Sequence, residues 1–365
     1  MLDFSIITQL DVWAWLVERL GGPSELEASA RRHGAFKRAR EVKSAEDLLR
    51  LILAYGPGGR SLRMMSAEAA GLGIADISDV ALFNRFRQCA DWLLALCEQL
   101  LAPVRSIEAG RGGAVRLVDA SRIEGPGDAC WRLHLLWDAE RQRISQIDVT
   151  ALTQGERLDR LAAQPGEIRI GDRAYPRADG LRQTREDGAD VLVRLTWNSL
   201  HLVDQDARAL DWMALFDHAS RHGGLDMAVW VCKPRGRFEP LPLRLVILNK
   251  PPETINKARK RTQRAADRNQ HQADPRTLAA AEHVLLITSL DAAAYPPERL
   301  GELYRVRWQI ELAFKRLKSI LHMDRLPAKD PRLAKAWIAA HLLLALLIED
   351  TAATIADFSP SVPVR

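Results

Sequence analysis

Four residues in the last quarter of the chain have types and spacing that suit phosphate chemistry. They stand at i, i+3, i+7 and i+14 and are Tyr304, Arg307, Glu311 and Lys318. These offsets share one stripe of an α-helix. A carboxylate can bind a hard cation, while the cations and the phenol can bind phosphate oxygens. The same spacing is also typical of a solvated amphipathic helix with Arg–Glu pairs, so the stripe alone leaves both interpretations open.

Two aspartates that each follow a predicted strand extend this set. Asp119 follows Ala114–Val118, and Asp172 follows Glu167–Gly171. Carboxylates at strand ends and on a nearby helix can hold two Mg²⁺ or Mn²⁺ ions about 4 Å apart, an arrangement used for in-line displacement at phosphorus. A single aspartate after a strand is weak evidence, because Asp also begins turns and caps helices. The combination with the stripe is the stronger signal.

The elements expected to position these residues begin with helices. Residues 1 to about 105 have helical apolar spacing, with helices expected over 11–20, 61–72 and 78–101. Ser44 to Asp47 resembles a capping box before a further apolar run. Short helices joined by turns favour either a helix-turn-helix-like DNA-binding unit or a small helical packing domain, and the pattern does not choose between them.

The periodicity changes after the glycine-rich segment 110–113. A strand, a hairpin (131–137 and 143–149), a helix over 155–163 and the strand before Asp172 are predicted in that order, which is the opening order of an RNase H-like fold. A helix near 179–186 and strands over 191–197, 227–232 and 243–248 are expected next. The strand His283–Thr288 follows, and Pro296-Pro297 opens one long helix that carries Glu311.

A basic segment lies between these strands. From residue 250 to residue 276 eight Lys or Arg stand against three acids. Such a helix is suited to tracking a phosphate backbone, and a solvated basic surface helix is an equally good interpretation.

Composition limits the class of protein. The 365 residues are 47% apolar and 27% charged, with a net charge of +5, which indicates a soluble globular protein of two or three domains that tolerates a polyanionic partner. The four cysteines form no metal-ligand spacing, which favours a reduced cytosolic compartment. No secretory signal and no nucleotide-binding glycine loop are recognised. The apolar run 336–348 is interrupted by His341 and is judged too short to span a membrane.

Several titratable residues are expected to have no part in the chemistry. His134 and His341 stand in apolar surroundings and are interpreted as core histidines. Four aspartates in turns or alternating positions are interpreted as solvated, namely Asp138, Asp148, Asp159 and Asp179.

Three segments together carry a family resemblance. Leu117-Val-Asp-Ala-Ser121, Ile170-Gly-Asp-Arg-Ala-Tyr175 and the stripe from Tyr304 to Lys318 resemble the three active-site motifs of bacterial insertion-sequence DDE transposases. Within these the chain is similar to the insertion-sequence-four type, whose third motif is a Tyr-Arg-Glu-Lys signature. The resemblance implies an α/β protein with an RNase H-like catalytic core and a β-rich insertion, preceded by an all-α N-terminal domain.

The resemblance also implies roles for individual residues. The catalytic, metal-binding residues would be Asp119, Asp172 and Glu311, holding two Mg²⁺ or Mn²⁺ ions. Tyr304, Arg307 and Lys318 would bind DNA phosphates. Trp308 or Trp197 would stack a flipped base, although a core role is the other interpretation of either. The basic helix would contact DNA through Lys257, Lys260, Arg261 and Arg264, and Arg173 and Tyr175 would either support Asp172 or only pack.

The expected function is cut-and-paste DNA transposition in the bacterial cytoplasm, at the nucleoid. Strand cleavage at the terminal inverted repeats would be followed by attack of the freed 3′-hydroxyl on target DNA, with a homodimer in the synaptic complex and no membrane involved. The expected domains are 1–108 (helical, DNA-binding), 109–190 and 283–365 (the two parts of the core) and 191–282 (the insertion). Two alternatives remain: a nuclease of the same fold without strand transfer, and a truncated copy that binds transposon ends as an inhibitor.

Overall fold

Alternating apolar residues on the strands decide how this chain is layered. On neighbouring positions of one strand Leu117 packs into one hydrophobic cluster and Val118 into another, and the same alternation recurs at Leu135 and Leu136. Successive side chains of a strand point to opposite faces, so the sheet is buried on both faces and needs helices on each.

The computed structural model describes residues 10–101, 113–126, 130–232, 239–268, 270, 272–324 and 326–358. The strands in these ranges are β1 (Ala114–Glu124), β2 (Cys130–Asp138), β3 (Arg143–Ala151), β4 (Glu167–Gly171), β5 (Asp190–Arg194), β6 (His201–Val203), β7 (Gly224–Cys232), β8 (Leu241–Asn249) and β9 (His283–Thr288). They form one mixed sheet in the order β3-β2-β1-β4-β5-β9-β8-β7-β6. The pairs β1–β4 and β4–β5 are parallel, and the other neighbouring pairs are antiparallel.

Helices cover both faces of this sheet. They are α1 (Leu10–Arg19), α2 (Gly22–Arg32), α3 (Ala45–Tyr55), α4 (Leu62–Gly71), α5 (Asp79–Phe86), α6 (Ala90–Leu100), α7 (Ala178–Glu186), α8 (Trp212–His222), α9 (Pro252–Arg268), α10 (Pro275–Ala280), α11 (Pro297–Arg305), α12 (Trp308–Ser319) and α13 (Pro331–Phe358). Helices α1 to α6 share a hydrophobic cluster with α11, α12 and α13 on one face, while α7 and α8 cover the other. The boundary expected near residue 109 lies outside the described residues.

Helix α13 passes through the centre of the first cluster. Its segment Pro331–Ala352 is long and apolar enough to cross a membrane by length and composition, with mean hydropathy 1.5, so the sequence-based judgement that the run is too short was wrong. Of the 18-residue apolar window of this segment, 78% is buried inside the protein. A helix that is apolar on all sides is buried either in a membrane or in a core, and this one is packed against α3, α6 and β3.

Most strands and the mixed α/β class agree with the sequence-based expectations, and three helix predictions were wrong. Residues 78–101 form two helices, α5 and α6, instead of one. The long helix expected after Pro296 is broken into α11 and α12. Residues 155–163 form no helix, because their backbone carbonyls bond elsewhere. Arginines outside the segment supply these bonds: Arg177 donates to the Glu156 carbonyl, and Arg169 donates to the carbonyls of Leu161 and Ala162.

Asp138 was wrongly expected to be solvated. Its side chain is buried and lies 3.1 Å from Arg116, whose guanidinium also lies 3.3 Å from Glu167. Glu167 in turn pairs with the fully buried Arg169 at 2.6 Å. Buried charges require partners of this kind, so the network joins β1, β2 and β4 at the end of the sheet where β4 begins.

The two histidines expected in the core are confirmed there. His134 Nε2 lies 2.9 Å from Thr150 Oγ1, and His341 Nδ1 lies 2.8 Å from the Trp337 carbonyl. Burial lowers the pKa of each to about 4, so both are neutral at neutral pH.

Candidate active site

The parallel register of β1 and β4 brings Asp119 and Asp172 side by side. The last paired residues of these strands are Leu117 and Ile170, and each aspartate stands two residues further along its own chain. Neighbouring strands lie about 4.8 Å apart, and positions two apart share a face. Both carboxylates therefore occupy the same edge of the sheet, on the face that Leu117 and Ile170 share with helix α12.

Helix α12 carries Glu311 across β1 on that face. Trp137 on β2 fixes the helix by donating a hydrogen bond of 3.2 Å from Nε1 to Gln309 Oε1, and Ile310 and Phe314 are buried beneath it. Glu311 lies at the start of the second turn of α12, on the exposed side of the helix, and 56% of its side chain is accessible to solvent. The helix thus presents this carboxylate over the strand that bears Asp119.

One guanidinium lies between the two elements. Arg307 Nη2 donates a short hydrogen bond to Glu311 Oε1, and Arg307 Nη1 lies 3.7 Å from Asp119 Oδ2. Arg307 is largely buried, and its side chain is next to the ring of Tyr304. Burial opposes its charge, but Tyr304, Glu311 and Asp119 outweigh that effect and raise its pKa. A single cation therefore connects Glu311 to Asp119.

The break between α11 and α12 allows Arg307 to contact both Glu311 and Asp119. The backbone N–H groups of Val306, Arg307, Gln309 and Ile310 each bond to the carbonyl three residues earlier. Such bonds make a tight 3₁₀-like turn, so the stripe predicted on one continuous helix is instead distributed over two. Tyr304 lies before the turn, Glu311 lies after it, and Arg307 stands within it.

Asp119 titrates abnormally. Burial raises its pKa to about 7, the charges of Asp172 and Glu156 act in the same direction, and the Ala120 N–H and Arg307 oppose the rise. The Ala120 N–H donates a hydrogen bond of 2.8 Å to Asp119 Oδ1. A carboxylate crowded by like charges is stabilised by any added cation.

Asp172 opens onto a cavity of about 850 Å³ between the sheet edge and helices α9 and α10. Six cationic side chains line it: Arg173, Arg194, Lys250, Lys257, Arg261 and Arg307. Against them the wall contains the carboxylates of Asp172 and Asp274. Arg194 Nε is buried and makes no hydrogen bond within the described part of the chain.

The cations that line this cavity lower one another's pKa. Burial, Arg194 and Arg173 together lower the pKa of Lys250 to about 8, against the opposing charge of Glu282. Burial, Arg194 and Arg261 likewise lower the pKa of Arg173. Like charges held together in a partly buried wall favour an anion between them.

The four cations expected on the basic helix α9 divide into two pairs. Lys257 and Arg261 line the cavity, whereas Lys260 and Arg264 are exposed outside its lining. The two tryptophans also differ. Trp308 is 54% exposed, so the core interpretation is wrong for it. Trp197 forms part of the cavity wall, with its ring beneath the Arg276 guanidinium at 3.9 Å and its Nε1 donating to Thr277 Oγ1.

The remaining phosphate-binding candidates lie at different depths. Tyr304 lines the cavity and its hydroxyl is buried, with the pKa raised by burial. Lys318 is half-buried two turns beyond Glu311 on α12. Sequence reasoning missed Arg194 and Glu156. Arg194 ends β5 beside Asp172's strand, so the rule that parallel strands end at one edge of a sheet could have found it, whereas Glu156 was assigned to a helix that does not form.

The donor set suits a hard divalent cation. Asp119 and Asp172 are adjacent oxygen donors with excess negative charge, and carboxylates are the ligands that Mg²⁺ and Mn²⁺ prefer. In the described ranges no three His, Cys, Asp or Glu side chains already converge at metal-binding distance. Glu311 is directed to Arg307, so its carboxylate would have to leave that guanidinium to join the pair.

The amino-acid sequence of the chain also matches known proteins. Residues 110–348 match the family described as the transposase DDE domain. The chain is 41% identical over 357 residues to the protein named as transposase InsL for insertion sequence element IS186A of Escherichia coli (strain K12), which covers 96% of each chain. It is equally similar, over 358 residues and 96% of each chain, to the transposase for insertion sequence element IS421 of Escherichia coli.

Proposed function

This chain belongs to the DDE transposases of bacterial insertion sequences and is an enzyme that acts on DNA, and on that premise we propose that Asp119, Asp172 and Glu311 are its catalytic carboxylates. The observation that carries the proposal is the β1–β4 register, which sets Asp119 beside Asp172, together with Arg307, which links Asp119 to Glu311.

The family depends on divalent metal ions, and we propose that the three carboxylates hold two of them, Mg²⁺ or Mn²⁺. When bound, these ions activate the attacking oxygen and stabilise the leaving oxygen of an in-line displacement at phosphorus. The protein contributes the crowded carboxylate pair at the sheet edge, with the pKa of Asp119 near 7. Glu311 would complete the ligand set by exchanging its Arg307 partner for the metal.

The reaction itself has two displacements. In the first, a water oxygen attacks a phosphorus at the transposon end and the bond from phosphorus to the 3′ oxygen breaks, which leaves a free 3′-hydroxyl. In the second, that hydroxyl gives up its proton and attacks a phosphorus of target DNA, and the bond from this phosphorus to the target's own 3′ oxygen breaks, so that a target 3′-hydroxyl leaves. Arg307 and Tyr304 are placed beside the carboxylates to bind the phosphate under attack, and the planar guanidinium suits two oxygens at once.

We further propose that the cationic cavity beside Asp172 receives the DNA backbone. Lys257 and Arg261 line it from α9, and Arg173 and Arg194 line it from the sheet edge. Phosphate contacts of this kind dominate affinity for DNA and weaken as salt rises. Lys318 and the exposed Trp308 extend the surface along α12.

The finer architectural expectations belong to the same proposal. Strand, hairpin, strand and parallel β5, with the Glu311 helix returning to the same edge, support an RNase H-like core. The six helices of residues 10–101 support an all-α N-terminal unit that binds DNA, and strands β6 to β8 support the expected β-rich insertion. A homodimer in the synaptic complex and action at the nucleoid in the bacterial cytoplasm complete the proposal.

Cleavage of a supercoiled plasmid that carries the flanking inverted repeats tests the catalytic assignment. With Mg²⁺ or Mn²⁺ the wild type should cut at the repeat ends, and Asp119→Asn, Asp172→Asn and Glu311→Gln should each abolish cutting. Glu298→Gln, an exposed glutamate on the adjacent α11, is the matched control and should cut normally. Retained cutting by Glu311→Gln would refute its role.

The products distinguish the two alternative functions. Cleavage without joined products would identify a nuclease without strand transfer. Binding of the repeat ends without metal-dependent nicking by the wild type would identify an inhibitory copy.

Charge reversal tests the DNA path. Lys257→Glu with Arg261→Glu should weaken binding to any duplex and should reduce the salt slope by about 2, or about 1 for each lost phosphate contact. Lys260→Glu with Arg264→Glu makes the same change of charge on the same helix outside the cavity. Equal losses from the two double variants would show that α9 contributes only general positive charge.

A further inference from the structure

Glu156 stands at the same edge of the sheet as Asp119 and Asp172. It lies in the segment that follows β3, and β3 runs parallel to β1 because both are antiparallel to β2. The carboxyl ends of β1, β3 and β4 therefore lie at one edge. The topology therefore brings a third carboxylate to the edge of the sheet that bears the first two.

Arginines hold this segment in position. Arg132 Nη1 donates a hydrogen bond of 2.8 Å to the Gln154 carbonyl, and Arg132 Nε lies 3.5 Å from Glu156 Oε1. Arg177 Nε donates a hydrogen bond of 3.1 Å to the Glu156 carbonyl. Arg132 and Leu136 are four residues apart on β2, so their side chains point to the same face of the sheet. Leu136 packs on the face opposite α12. Glu156 thus approaches the aspartates from the face opposite Glu311.

A buried hydroxyl lies within the influence of all three carboxylates. Tyr175 is fully buried, and its hydroxyl has no hydrogen-bond partner in the described part of the chain. The carboxylates whose charges act on this phenol are Asp119, Glu156 and Asp172. Gly171 permits the ring to lie there, because a Cβ on it would stand 2.9 Å from the Tyr175 side chain. Leaving a buried hydroxyl unpaired is unfavourable, so this site has capacity for an oxygen-rich ligand shell.

We propose that Glu156 is a fourth carboxylate of the active site, which binds a divalent cation together with Asp119 and Asp172 from the face of the sheet opposite Glu311. This inference rests on the proposed function, because it assumes that the two aspartates hold metal. Three carboxylates at a partly buried edge repel one another, and the guanidiniums of Arg132, beside Glu156, and Arg307, beside Asp119, balance two of the three charges. A divalent cation between them relieves the remaining repulsion.

Mn²⁺ binding without DNA tests the inference independently of catalysis. Binding would be measured by titration calorimetry and by the loss of the free-Mn²⁺ electron paramagnetic resonance signal, at pH 8, above the raised pKa of Asp119. Glu156→Gln should weaken the affinity at least about tenfold, the size of loss expected when a group that supports a metal site is removed. Asp148→Asn, a neighbouring carboxylate on β3 that pairs with Arg160, should leave the affinity near that of the wild type.

Further variants make the result decisive. Glu156→Asp keeps the charge but shortens the side chain and should bind with intermediate affinity, and circular dichroism would establish that each variant is folded. If Glu156→Gln does not fold, Glu156→Asp carries the test. Wild-type affinity in the folded Glu156 variant overturns the inference. If Asp172→Asn also binds Mn²⁺ like the wild type, the proposed metal site itself is wrong.

Discussion

Replacing Asp119 by asparagine should stabilise the metal-free protein at neutral pH. Burial, Asp172 and Glu156 raise the pKa of Asp119 from 3.8 to about 7. The folded state therefore binds this proton more tightly than the unfolded state, so stability falls as pH rises from about 4 to 7. At about 1.4 kcal/mol per pKa unit, the full cost above pH 7 is about 4 kcal/mol.

The asparagine variant lacks this titration. In EDTA its free energy of unfolding should match that of the wild type near pH 4 and should exceed it by about 3–4 kcal/mol at pH 8. Urea unfolding followed by tryptophan fluorescence between pH 4 and pH 8 measures the difference. A difference that does not change with pH, or a variant less stable than the wild type at pH 8, would refute the reasoning.

Asp159 provides a control of opposite sign. Burial would raise its pKa, but the hydrogen bond and charge of Arg157 outweigh burial and lower it. Its contribution to stability is therefore present above the ordinary carboxylate pKa and lost as pH falls. Asp159→Asn should be less stable than the wild type at pH 8, and the deficit should shrink towards acid pH.

Two further changes separate fold from function. Glu167→Gln removes the carboxylate shared by two buried arginines and should cost about 3–5 kcal/mol, since an uncompensated buried charge remains; a loss below ~1 kcal/mol in urea unfolding would show that the network is dispensable. Trp308→Ala removes a side chain that is 54% exposed, so stability should change by less than about 0.5 kcal/mol. Affinity for a transposon end should fall by about 1–3 kcal/mol in a fluorescence titration if the indole stacks on a base, and an unchanged affinity would contradict that role.

What the sequence predicted correctly depends on local pattern. Alternating apolar residues located β2 and β3, and the apolar run 284–287 located β9. Each candidate aspartate was found because a short apolar strand was predicted directly before it, although β1 continues through Asp119 to Glu124. The side-by-side placement of Asp119 and Asp172 follows from those two strands being parallel neighbours in register. No local sequence pattern predicts that register, although the residues that it pairs last, Leu117 and Ile170, both belong to the two motifs.

What the sequence could not predict depends on contacts between distant segments. The helix expected over 155–163 has adequate helical spacing, but Arg169 on β4 and Arg177, just before α7, take its carbonyls. Those arginines are between 7 and 21 residues away along the chain. The same contacts bring Glu156 to the sheet edge, so the error in secondary structure and the missed carboxylate have one cause.

The Tyr-Arg-Glu-Lys stripe shows how residues that lie close together can be selected for an incomplete geometric reason. The helical periodicity that selected Tyr304, Arg307 and Glu311 assumes a continuous α-helix, and the chain instead makes a 3₁₀-like turn at Arg307. A 3₁₀ turn has about three residues per turn and rises about 2.0 Å per residue, against 3.6 and 1.5 Å in an α-helix. The turn therefore changes the direction in which Arg307 points relative to the residues on either side, and in this structure it reaches both Glu311 and Asp119. Because one guanidinium cannot serve the two carboxylates and a phosphate equally well, binding of DNA and the arrival of Glu311 at the aspartates are expected to be linked through Arg307.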